Sequence, residues 1–437
     1  MSQGSATPWP ARTVVQALED AASSTRTGFR FIEESSAAEP FFTYSGIERA
    51  TARLAGALQA LGLEKGDRVA LILPDNQDFV FAFLGAIRAG IIPVPIYPPA
   101  GLRKLGGYLD STLHIVKKSG ASVLLTDQDI KRLLGTVMAN APELKKIISV
   151  DRLRKAHEQL RPVDVALDDT CFLQFTSGST SDPKGVIVTH GNIAHNVHAF
   201  MRQGLKVRDA EDVGVSWLPL YHDMGLIGFV LGPMYHRCTV SFLPPLLFLK
   251  RPVRWLETIS RHRGTISFGP NFAYALCNKR VRDKDVEALD LSSWRVAGCG
   301  AEPIRAGNLQ SFAKRFAGIG FNPRALLPCY GMAEATLAIS FTPVFTGLRT
   351  DRVDAALLAK LGRAVPFDAT AASSSVEAVE PTHEGEPTGE GAAAPGQSGG
   401  DTPAERRFSS EDSALDIVCC GPPFEDHDVK VFAPGDR

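Results

Sequence analysis

Residues 68–97, which read RVALILPDNQDFVFAFLGAIRAGIIPVPIY, constrain the fold more than any other segment of the chain. An apolar run ends at a turn around Asp75, and about 14 residues with a wide apolar face of helical spacing follow it. The helical pattern stops at Gly90, where a second apolar run begins. A strand, a helix and a strand of this composition predict a parallel βαβ unit.

The same alternation of strand-like and helical segments recurs along the chain. Further strands are predicted at 121–125, 147–150, 213–218, 265–268 and 294–297. Helices are predicted between them, for example at 253–263 and 306–316. This alternation indicates an α/β fold in which layered parallel or mixed sheets are flanked by helices.

Composition and charge exclude several classes of protein. The 437 residues are 44% hydrophobic and 22% charged, and 47 Lys and Arg face 48 Asp and Glu without a long basic run, so we expect no nucleic-acid partner. No stretch approaches the roughly 20 apolar residues of a membrane span. The seven cysteines form no C-x-x-C pair and most lie in apolar runs, which predicts reduced, buried thiols in the cytoplasm and argues against a zinc site.

Residues 172–186, FLQFTSGSTSDPKGV, place six small hydroxyl or glycine residues between an apolar run and a lysine. Backbone amides and hydroxyls in such a turn can form an anion cradle, and Lys184 adds a positive charge suited to phosphate. A bare run of this kind is more often a flexible surface loop. It is not a Walker A loop, because a proline precedes Lys184 and no hydroxyl residue follows it.

The loop resembles the phosphate-binding signature of the AMP-forming adenylating enzymes, the superfamily of acyl-CoA synthetases, luciferases and peptide-synthetase adenylation domains. It departs from that signature at Ser181, where the superfamily usually has glycine. The resemblance implies that the loop and Lys184 bind the β- and γ-phosphates of ATP. The loop residues concerned are Thr176, Ser177, Gly178, Ser179 and Thr180.

Two more motifs follow in the order that the superfamily shows. The stretch GAEP resembles the backbone that lines the adenine pocket, and YGMAE resembles a motif whose tyrosine stacks on adenine and whose glutamate, here Glu334, ligates Mg²⁺. An aromatic face suits a purine, and a hard cation prefers a carboxylate. Ala333 replaces the usual threonine. The residues concerned are Gly300, Ala301, Glu302, Pro303, Tyr330, Gly331, Met332, Ala333 and Glu334.

Residues 217–228, WLPLYHDMGLIG, match another superfamily segment, whose helix lines the acyl pocket. The resemblance implies that the carboxylate of the substrate lies near His222 and Gly300. Lys184, His222 and Glu334 are the predicted catalytic residues. Four residues are predicted to line the tunnel that binds the acyl chain, although a place in an ordinary hydrophobic core is an almost equally good interpretation of them. These are Met224, Ile227, Phe229 and Phe268.

Within the superfamily, Ser181-Asp182, GPNFAY at 269–274 and YGMAEAT most resemble the fatty acyl-AMP ligases. These relatives use ATP and Mg²⁺ to activate long-chain fatty acids for an acyl carrier protein, in lipid, polyketide or lipopeptide biosynthesis. They carry an insertion after the YGMAE motif, and residues 345–367 are predicted to be that insertion. A short helix is predicted there, with Val353, Ala356, Leu357 and Leu361 on one face. A surface helix without special function is the alternative.

Three regions are predicted: an adenylate-forming core at 1–368, a disordered acidic low-complexity insertion at 369–410, and a return to the core at 411–437 with strand-like patterns at 415–419 and 429–432. The ribose-binding aspartate motif and the small C-terminal domain of the superfamily have no match in the chain. We therefore expect a truncated core that is catalytically incomplete by itself.

Two alternatives to the fatty acyl-AMP ligase stay open at this point. One is an acyl-CoA synthetase, which differs in the acceptor of the acyl group. The other is a non-catalytic protein that binds an acyl-adenylate. A monomer without a membrane span is expected in each case.

Overall fold

The computed structural model describes residues 11–33, 39–99, 105–155, 158–176, 182–367, 414–425 and 427–430. Its contacts divide the chain into two compact units, residues 1–348 with 419–437 and residues 349–418. Five of the seven cysteines are buried free thiols, as the sequence predicts: Cys171, Cys238, Cys277, Cys299 and Cys329.

The first unit contains fourteen strands within the described residues. They are β1 Gly28–Phe31, β2 Phe41–Thr43, β3 Arg68–Ile72, β4 Ile92–Pro95, β5 Val123–Thr126, β6 Lys146–Ser149, β7 Thr170–Thr176, β8 Lys184–Thr189, β9 Val213–Ser216, β10 Thr239–Phe242, β11 Ile266–Gly269, β12 Val296–Cys299, β13 Leu326–Gly331 and β14 Ala338–Phe341.

Helices alternate with these strands. They are α1 Val14–Ala21, α2 Tyr44–Ala60, α3 Asn76–Arg88, α4 Leu105–Ser119, α5 Gln128–Leu133, α6 Gly135–Asn140, α7 Val150–Arg154, α8 His190–His198, α9 Asp223–Leu226, α10 Gly232–Tyr235, α11 Pro245–Lys250, α12 Val253–Arg261, α13 Asn271–Arg280 and α14 Ala306–Phe316. Ala199–Gly204 and Ile227–Leu231 are π-helical. Among the described helices, none is long and apolar enough to cross a membrane.

An eight-stranded mixed sheet forms the centre of the first unit, in the order β14-β13-β12-β11-β9-β10-β1-β2. The six strands from β13 to β1 run parallel, whereas β14 and β2 are antiparallel edge strands. The predicted strands at 213–218, 265–268 and 294–297 correspond to β9, β11 and β12. The predicted mixed α/β architecture is therefore confirmed.

A second sheet of the first unit is entirely parallel, in the order β4-β3-β5-β6. The predicted βαβ unit is β3-α3-β4, and α3 begins after Asp75, whose side chain accepts a hydrogen bond from the Asp78 amide. In β3, Val69 and Leu71 belong to the larger hydrophobic core, while Ala70 and Ile72 belong to a smaller one on the other face. Burial on both faces explains the continuous apolar run in the sequence.

The second unit contains β15 Thr350–Asp354, α15 Ala355–Leu361 and β16 Ala414–Val418, and β15 pairs with β16 antiparallel. The predicted helix exists, but Val353 lies in β15 and not on a helix face, because Asp354 caps the helix at its start. The chain re-enters the first unit at Cys419, later than the predicted residue 411.

The predicted acidic tract at 369–410 lies outside the described residues. Of the strand-like segment at 429–432, Val429 and Lys430 form no strand, and the other two residues are not described.

A cluster of aromatic side chains fixes the helices beside the large sheet. Trp255 of α12 contacts Tyr274 of α13 and Trp294 edge to face, with ring centroids 5.5 and 5.2 Å apart. Its indole Nε1 donates a hydrogen bond of 2.7 Å to Ser267 Oγ in β11. Because burial of large aromatic side chains contributes strongly to core stability, this cluster fixes α12 and α13 against the strands that carry the site described below.

An ion-pair network joins the amino ends of the central strands. Asp212, which precedes β9 and is 1% exposed, accepts hydrogen bonds from Arg295 Nε at 2.9 Å, Arg295 Nη2 at 2.5 Å and Thr265 Oγ1 at 2.9 Å. The Arg208 amide donates a further bond of 2.8 Å. Burial alone raises the pKa of Asp212, but the hydrogen bonds from Arg295 and Arg208 outweigh it and lower the pKa to about 2.

We expect Asp212→Asn to lower the free energy of unfolding at pH 7 by about 3 kcal/mol, because it leaves the Arg295 guanidinium partly buried without its partner. A depressed pKa stabilises the fold above the unfolded value of about 3.9, and this contribution is lost as the pH falls from there toward 2. The difference between wild type and variant should therefore shrink below about pH 4. Urea denaturation at a series of pH values measures it.

The matched control is Asp129→Asn, because the carboxylate of Asp129 is 90% exposed in its pair with Arg132. An exposed pair of this kind contributes about 0–1 kcal/mol. Equal unfolding free energies for Asp212→Asn and wild type at pH 7 would contradict the role assigned to the network.

Candidate functional site

A cavity of about 240 Å³ lies between the eight-stranded sheet and the helices that cover it. Its lining is mostly apolar, and its polar side chains lie at the two ends: Thr176, His222, Asp223 and Tyr330 at one end, and Asp212 at the other. His222 follows the carboxyl end of β9, whereas Asp212 precedes its amino end. The cavity therefore runs from the carboxyl edge of the parallel strands to their amino edge. We call the end at Tyr330 the mouth and the end at Asp212 the floor.

The sheet side of the cavity is formed by Gly214 of β9 and by Ile266 and Phe268 of β11. Gly214 and Ile266 are paired in register, and Phe268 follows two residues later on the same face. A Cβ atom on Gly298 of β12 would lie 2.2 Å from the Phe268 ring. Glycine at this position is thus what lets the Phe268 ring lie against the neighbouring strand beside the cavity.

The helical side of the cavity contains two π-helical segments, Ala199–Gly204 and Ile227–Leu231. They contribute Phe200, Met201, Gly228 and Phe229 to the lining. A Cβ atom on Gly228 would meet only the Leu337 side chain, at 3.7 Å, so Gly228 leaves open space. π-Helical turns are rare and are frequent at functional sites.

The antiparallel pair β7-β8 carries the phosphate loop that the sequence predicts. Thr176 pairs in register with Lys184, so the two ends of the loop meet; Thr176 lines the mouth and Lys184 is exposed. The loop residues 177–181 lie outside the described residues. At the second end of the loop, His114 Nε2 lies 3.1 Å from the Pro183 carbonyl oxygen.

The GAEP stretch follows β12 at the carboxyl edge. A Cβ atom on Gly300 would lie 2.7 Å from Cys329 Sγ and 3.0 Å from its carbonyl oxygen, so only glycine permits β12 and β13 to approach this closely. Ala301 has a φ angle of +69° and lines the mouth. Glu302 Oε1 accepts a hydrogen bond of 2.6 Å from the Phe272 amide, which holds the turn against the start of α13.

The YGMAE stretch borders the mouth together with the end of β7 and the GAEP stretch. The Tyr330 side chain is 52% exposed, and it lines the cavity at this end. A Cβ atom on Gly331 would lie 2.0 Å from the Leu337 carbonyl oxygen, so this position also requires glycine. An exposed aromatic ring at the opening of an apolar cavity is suited to stacking on a purine.

Glu334 is exposed on the short 3₁₀ turn that follows. The next turn is closed by Thr336, whose φ of +72° is unusual for a β-branched residue, and the Leu337 amide donates to the Ala335 carbonyl at 2.9 Å. Across this tight turn the chain changes from the exposed Glu334 carboxylate to the Leu337 side chain, which lines the cavity.

His222 caps the start of α9 at the mouth. Its Nδ1 atom lies 2.6 Å from Asp223 Oδ1, which also accepts a hydrogen bond of 2.7 Å from the Met224 amide. The hydrogen bond with Asp223 raises the pKa of His222, although partial burial acts in the opposite direction. Gln174 Nε2 of β7 donates to the Tyr221 carbonyl at 3.0 Å, which joins the phosphate-loop strand to the histidine segment.

The structure brings most of the predicted site residues to the cavity. Those that line it are Thr176, His222, Met224, Phe229, Phe268, Ala301, Tyr330, Gly331, Met332 and Ala333. Five others do not line it: Lys184 begins β8, and Gly300, Glu302, Pro303 and Glu334 lie on the loops around the mouth. Ser177, Gly178, Ser179 and Thr180 lie outside the described residues.

Ile227 does not line the cavity, contrary to the prediction. Its side chain is fully buried in the hydrophobic core. The π-helical turn presents the next two residues, Gly228 and Phe229, to the cavity instead. An α-helical spacing read from the sequence could not anticipate this change.

Several lining residues were not predicted from the sequence. They include Met201, Leu205, Asp212, Gly214, Gly228, Pro233, Cys238, Ile266, Leu337 and Phe341. They are far apart in the chain and, apart from Asp212, they are apolar or small, so each is typical of an ordinary core residue. Only the crossing of β9 and β11 with the two π-helical segments brings them together.

A magnesium ion fits one side of the mouth. No group of three or more His, Cys, Asp or Glu side chains that could hold a metal occurs in the part of the chain that the structure describes. Mg²⁺ typically binds one or two carboxylates together with waters and substrate phosphates. The exposed carboxylate of Glu334 therefore suits an ion that is shared with substrate phosphates.

Comparison with known proteins identifies relatives of the chain. The family described as AMP-binding enzyme matches residues 22–390. A protein of Caulobacter vibrioides named "Putative acyl-CoA synthetase" is 38% identical over 78% of this chain and 59% of its own length. A medium-chain-fatty-acid–[acyl-carrier-protein] ligase of Teredinibacter turnerae is 37% identical over 62% of this chain and 48% of its own length. The chain thus spans about half the length of these curated relatives.

Solved structures are similar to the chain as well. A structure from a study of fatty acyl-adenylate ligases of E. coli and L. pneumophila is 33% identical, covers 97% of this chain and 69% of its own, and has a TM-score of 0.83. A fatty acyl-adenylate ligase of L. pneumophila, solved with acyl adenylate and pyrophosphate, is 34% identical over 78% of this chain and 59% of its own, with a TM-score of 0.70.

We expect Asp223→Asn to lower the pKa of His222, because the carboxylate that stabilises the imidazolium form is removed. In wild type the His222 ring should titrate above the ordinary range for histidine, and in the variant its midpoint should move down. NMR titration of ring protons, with His222→Gln to assign the signal, measures both. Asp129→Asn is the control, since that carboxylate lies in α5, and an unchanged midpoint in Asp223→Asn would refute the assignment.

Proposed function

Because the chain belongs to the family of AMP-binding enzymes, we propose that it joins a fatty acid to the AMP portion of ATP. The fatty carboxylate attacks the α-phosphorus, a carboxyl-oxygen-to-phosphorus bond forms, and the bond to the β-phosphate breaks with release of pyrophosphate. The observation that carries this proposal is the apolar cavity whose mouth is surrounded by the three predicted nucleotide motifs.

The cavity suits a hydrocarbon chain with one polar end. Its middle is lined by apolar side chains such as Met201, Phe229 and Phe268, while His222 and Thr176 lie at the mouth. A fatty acid bound here would bury its chain and present its carboxylate at the mouth. The hydrogen bond between His222 Nδ1 and Asp223 raises the pKa of the ring and so favours the imidazolium form, in which Nε2–H can donate to a carboxylate or phosphate oxygen.

ATP is proposed to lie across the mouth, with adenine on the Tyr330 ring and the phosphates toward Thr176 and Lys184. The register of β7 and β8 keeps the loop ends together, and Lys184 is exposed at its second end. Glu334 would supply one oxygen ligand to Mg²⁺, which offsets the charge of the phosphates. Charge that develops on the α-phosphate and on pyrophosphate is thus met by positioned cations, the largest single contribution in many enzymes.

An acyl carrier protein is the proposed acceptor of the activated acyl group. The T. turnerae relative is by name a medium-chain-fatty-acid–[acyl-carrier-protein] ligase. Since this chain spans about half of that relative, transfer to a carrier is a proposal for the whole protein. A cytoplasmic location is proposed as well, on the ground that the five buried cysteines are free thiols.

Coenzyme A is a second candidate acceptor, because the C. vibrioides relative is named as an acyl-CoA synthetase. The two acceptors share the thiol of a phosphopantetheine arm and differ in what carries it. Supplying the acyl-adenylate with either CoA or a phosphopantetheinylated carrier protein, and measuring which thioester forms, separates them.

The test of the proposal is detection of acyl-AMP by mass spectrometry. The protein is incubated with ATP, Mg²⁺ and a panel of fatty acids, with and without a separately supplied C-terminal domain of a related ligase. Acyl-AMP in either reaction supports adenylation. Absence of product in both, together with no binding of a stable acyl-adenylate analogue, would overturn the proposal.

We expect Lys184→Ala and Glu334→Ala each to lower the rate of acyl-AMP formation by about 10²- to 10³-fold, because each removes a group that stabilises developing phosphate charge. The Glu334 variant should also require more Mg²⁺ for half-maximal rate. Initial rates at varied ATP and Mg²⁺ measure both effects.

The matched controls are Lys279→Ala and Glu287→Ala, which remove an exposed charge of the same sign away from the cavity. They should keep the wild-type rate. If the Lys184 and Glu334 variants behave like these controls, the proposed phosphate and magnesium positions are wrong.

A further inference from the structure

We propose that the floor of the cavity limits the acyl chain to about ten to twelve carbons, and that Gly228 and Leu205 set this limit. The inference rests on the proposed function and specifies its substrate as a medium-chain fatty acid. It depends on three observations: where the cavity ends, what closes it, and which residues can lengthen or shorten it.

The depth of the cavity follows from the strands beside it. It extends past β9, a strand of four residues, from the mouth at the carboxyl edge to Asp212 immediately before the strand. At about 3.3 Å per residue, β9 is roughly 13 Å long, and we take the length of the strand as the depth of the cavity between the mouth and Asp212. A fully extended chain advances about 1.2 Å per bond, as an extended polypeptide does, so roughly eleven bonds fit.

The floor combines a fixed ion pair with apolar side chains. Asp212 and Cys238 both line it, and each lies at the amino end of a parallel strand. The Asp212 carboxylate is held by Arg295 and Thr265 and is 1% exposed. At Asp212, a longer chain could extend only by displacing this ion pair, and a buried charge without its partner is strongly unfavourable.

Leu205 forms the apolar part of the floor. Its side chain is buried and lines the cavity, and its carbonyl oxygen accepts a hydrogen bond of 3.0 Å from Arg295 Nη1. That bond places Leu205 beside the ion pair. Leu205→Ala removes three carbons next to the floor and leaves the Arg295 bond intact, because the bond is made by the backbone.

Gly228 determines whether the middle of the cavity is open. A Cβ atom there would contact only Leu337, at 3.7 Å, which is an ordinary distance. The backbone of Gly228 is helical, so a larger residue is not strained. The side chain of Gly228→Leu would therefore occupy the space that the acyl chain needs.

The experiment measures the affinity of the full chain for a series of non-hydrolysable acyl-adenylate analogues, adenosine acyl sulfamates of 6, 8, 10, 12, 14 and 16 carbons, by calorimetry. Each methylene that is buried should tighten binding about fourfold. We expect this increase to continue to about twelve carbons and then to stop or reverse. A steady increase through sixteen carbons would overturn the proposed limit.

The variants test which residues set the limit. Gly228→Leu should weaken binding of the 12-carbon analogue at least tenfold while the 6-carbon analogue changes less than threefold, and Leu205→Ala should move the break toward longer chains by two or three carbons. Gly307→Leu, a helical glycine of α14 with no atom within 4 Å of an added Cβ, is the control and should keep the wild-type profile.

The outcomes distinguish this inference from the proposed function. If no analogue of any length binds, the proposed function itself fails. If short and long analogues bind alike, or if the break does not move in Gly228→Leu, the acyl-adenylate site stands and the length limit is wrong. Should Leu205→Ala fail to fold, the wild-type series and the Gly228 variant still decide.

Discussion

The parallel pairing of β9, β11, β12 and β13 is the constraint on which the rest of the structure depends. Parallel strands place all their carboxyl ends at one edge, and in α/β proteins ligands bind at that edge. His222, Ala301 and Tyr330 come from segments that end or follow three different strands, and the sheet brings them to one mouth. Parallel pairing also places Asp212 and Cys238 at the opposite edge, so the cavity beside the sheet runs from the mouth at one edge to the floor at the other.

Glycines set the close approaches that this arrangement requires. Gly300 and Gly331 each lie where an added Cβ atom would overlap a neighbouring atom, at 2.7 and 2.0 Å. Gly214, Gly228 and Gly298 instead border the cavity or make room for a ring beside it. Substitutions at Gly300 and Gly331 should therefore damage the fold. A substitution at Gly228, where the glycine leaves open space, should instead change which ligands the cavity accepts.

The distribution of charge matches a ligand that is apolar along its length and charged at one end. Exposed Lys184, at the start of β8, and exposed Glu334 lie around the mouth, where phosphates and a cation would be neutralised in contact with water. At the floor, Asp212 is 1% exposed and is neutralised by Arg295, which is 13% exposed. The first set is available to a ligand, and the second set is a structural element that ends the cavity.

The sequence by itself determined the layered α/β fold, the βαβ unit at β3-α3-β4 and the order of the nucleotide motifs, because each depends on local periodicity or on a contiguous stretch of residues. Two predictions from the sequence were wrong. Val353 was expected on a helix but lies in strand β15, and Ile227 was expected on the cavity wall but lies in a π-helical segment with its side chain in the hydrophobic core. Only the tertiary structure decided where the cavity ends, since Leu205, Asp212, Cys238 and Ile266 are distant in the chain and become neighbours through strand pairing. Contacts between residues that are far apart in sequence leave no local pattern, so the floor of the site could not be read from the chain alone.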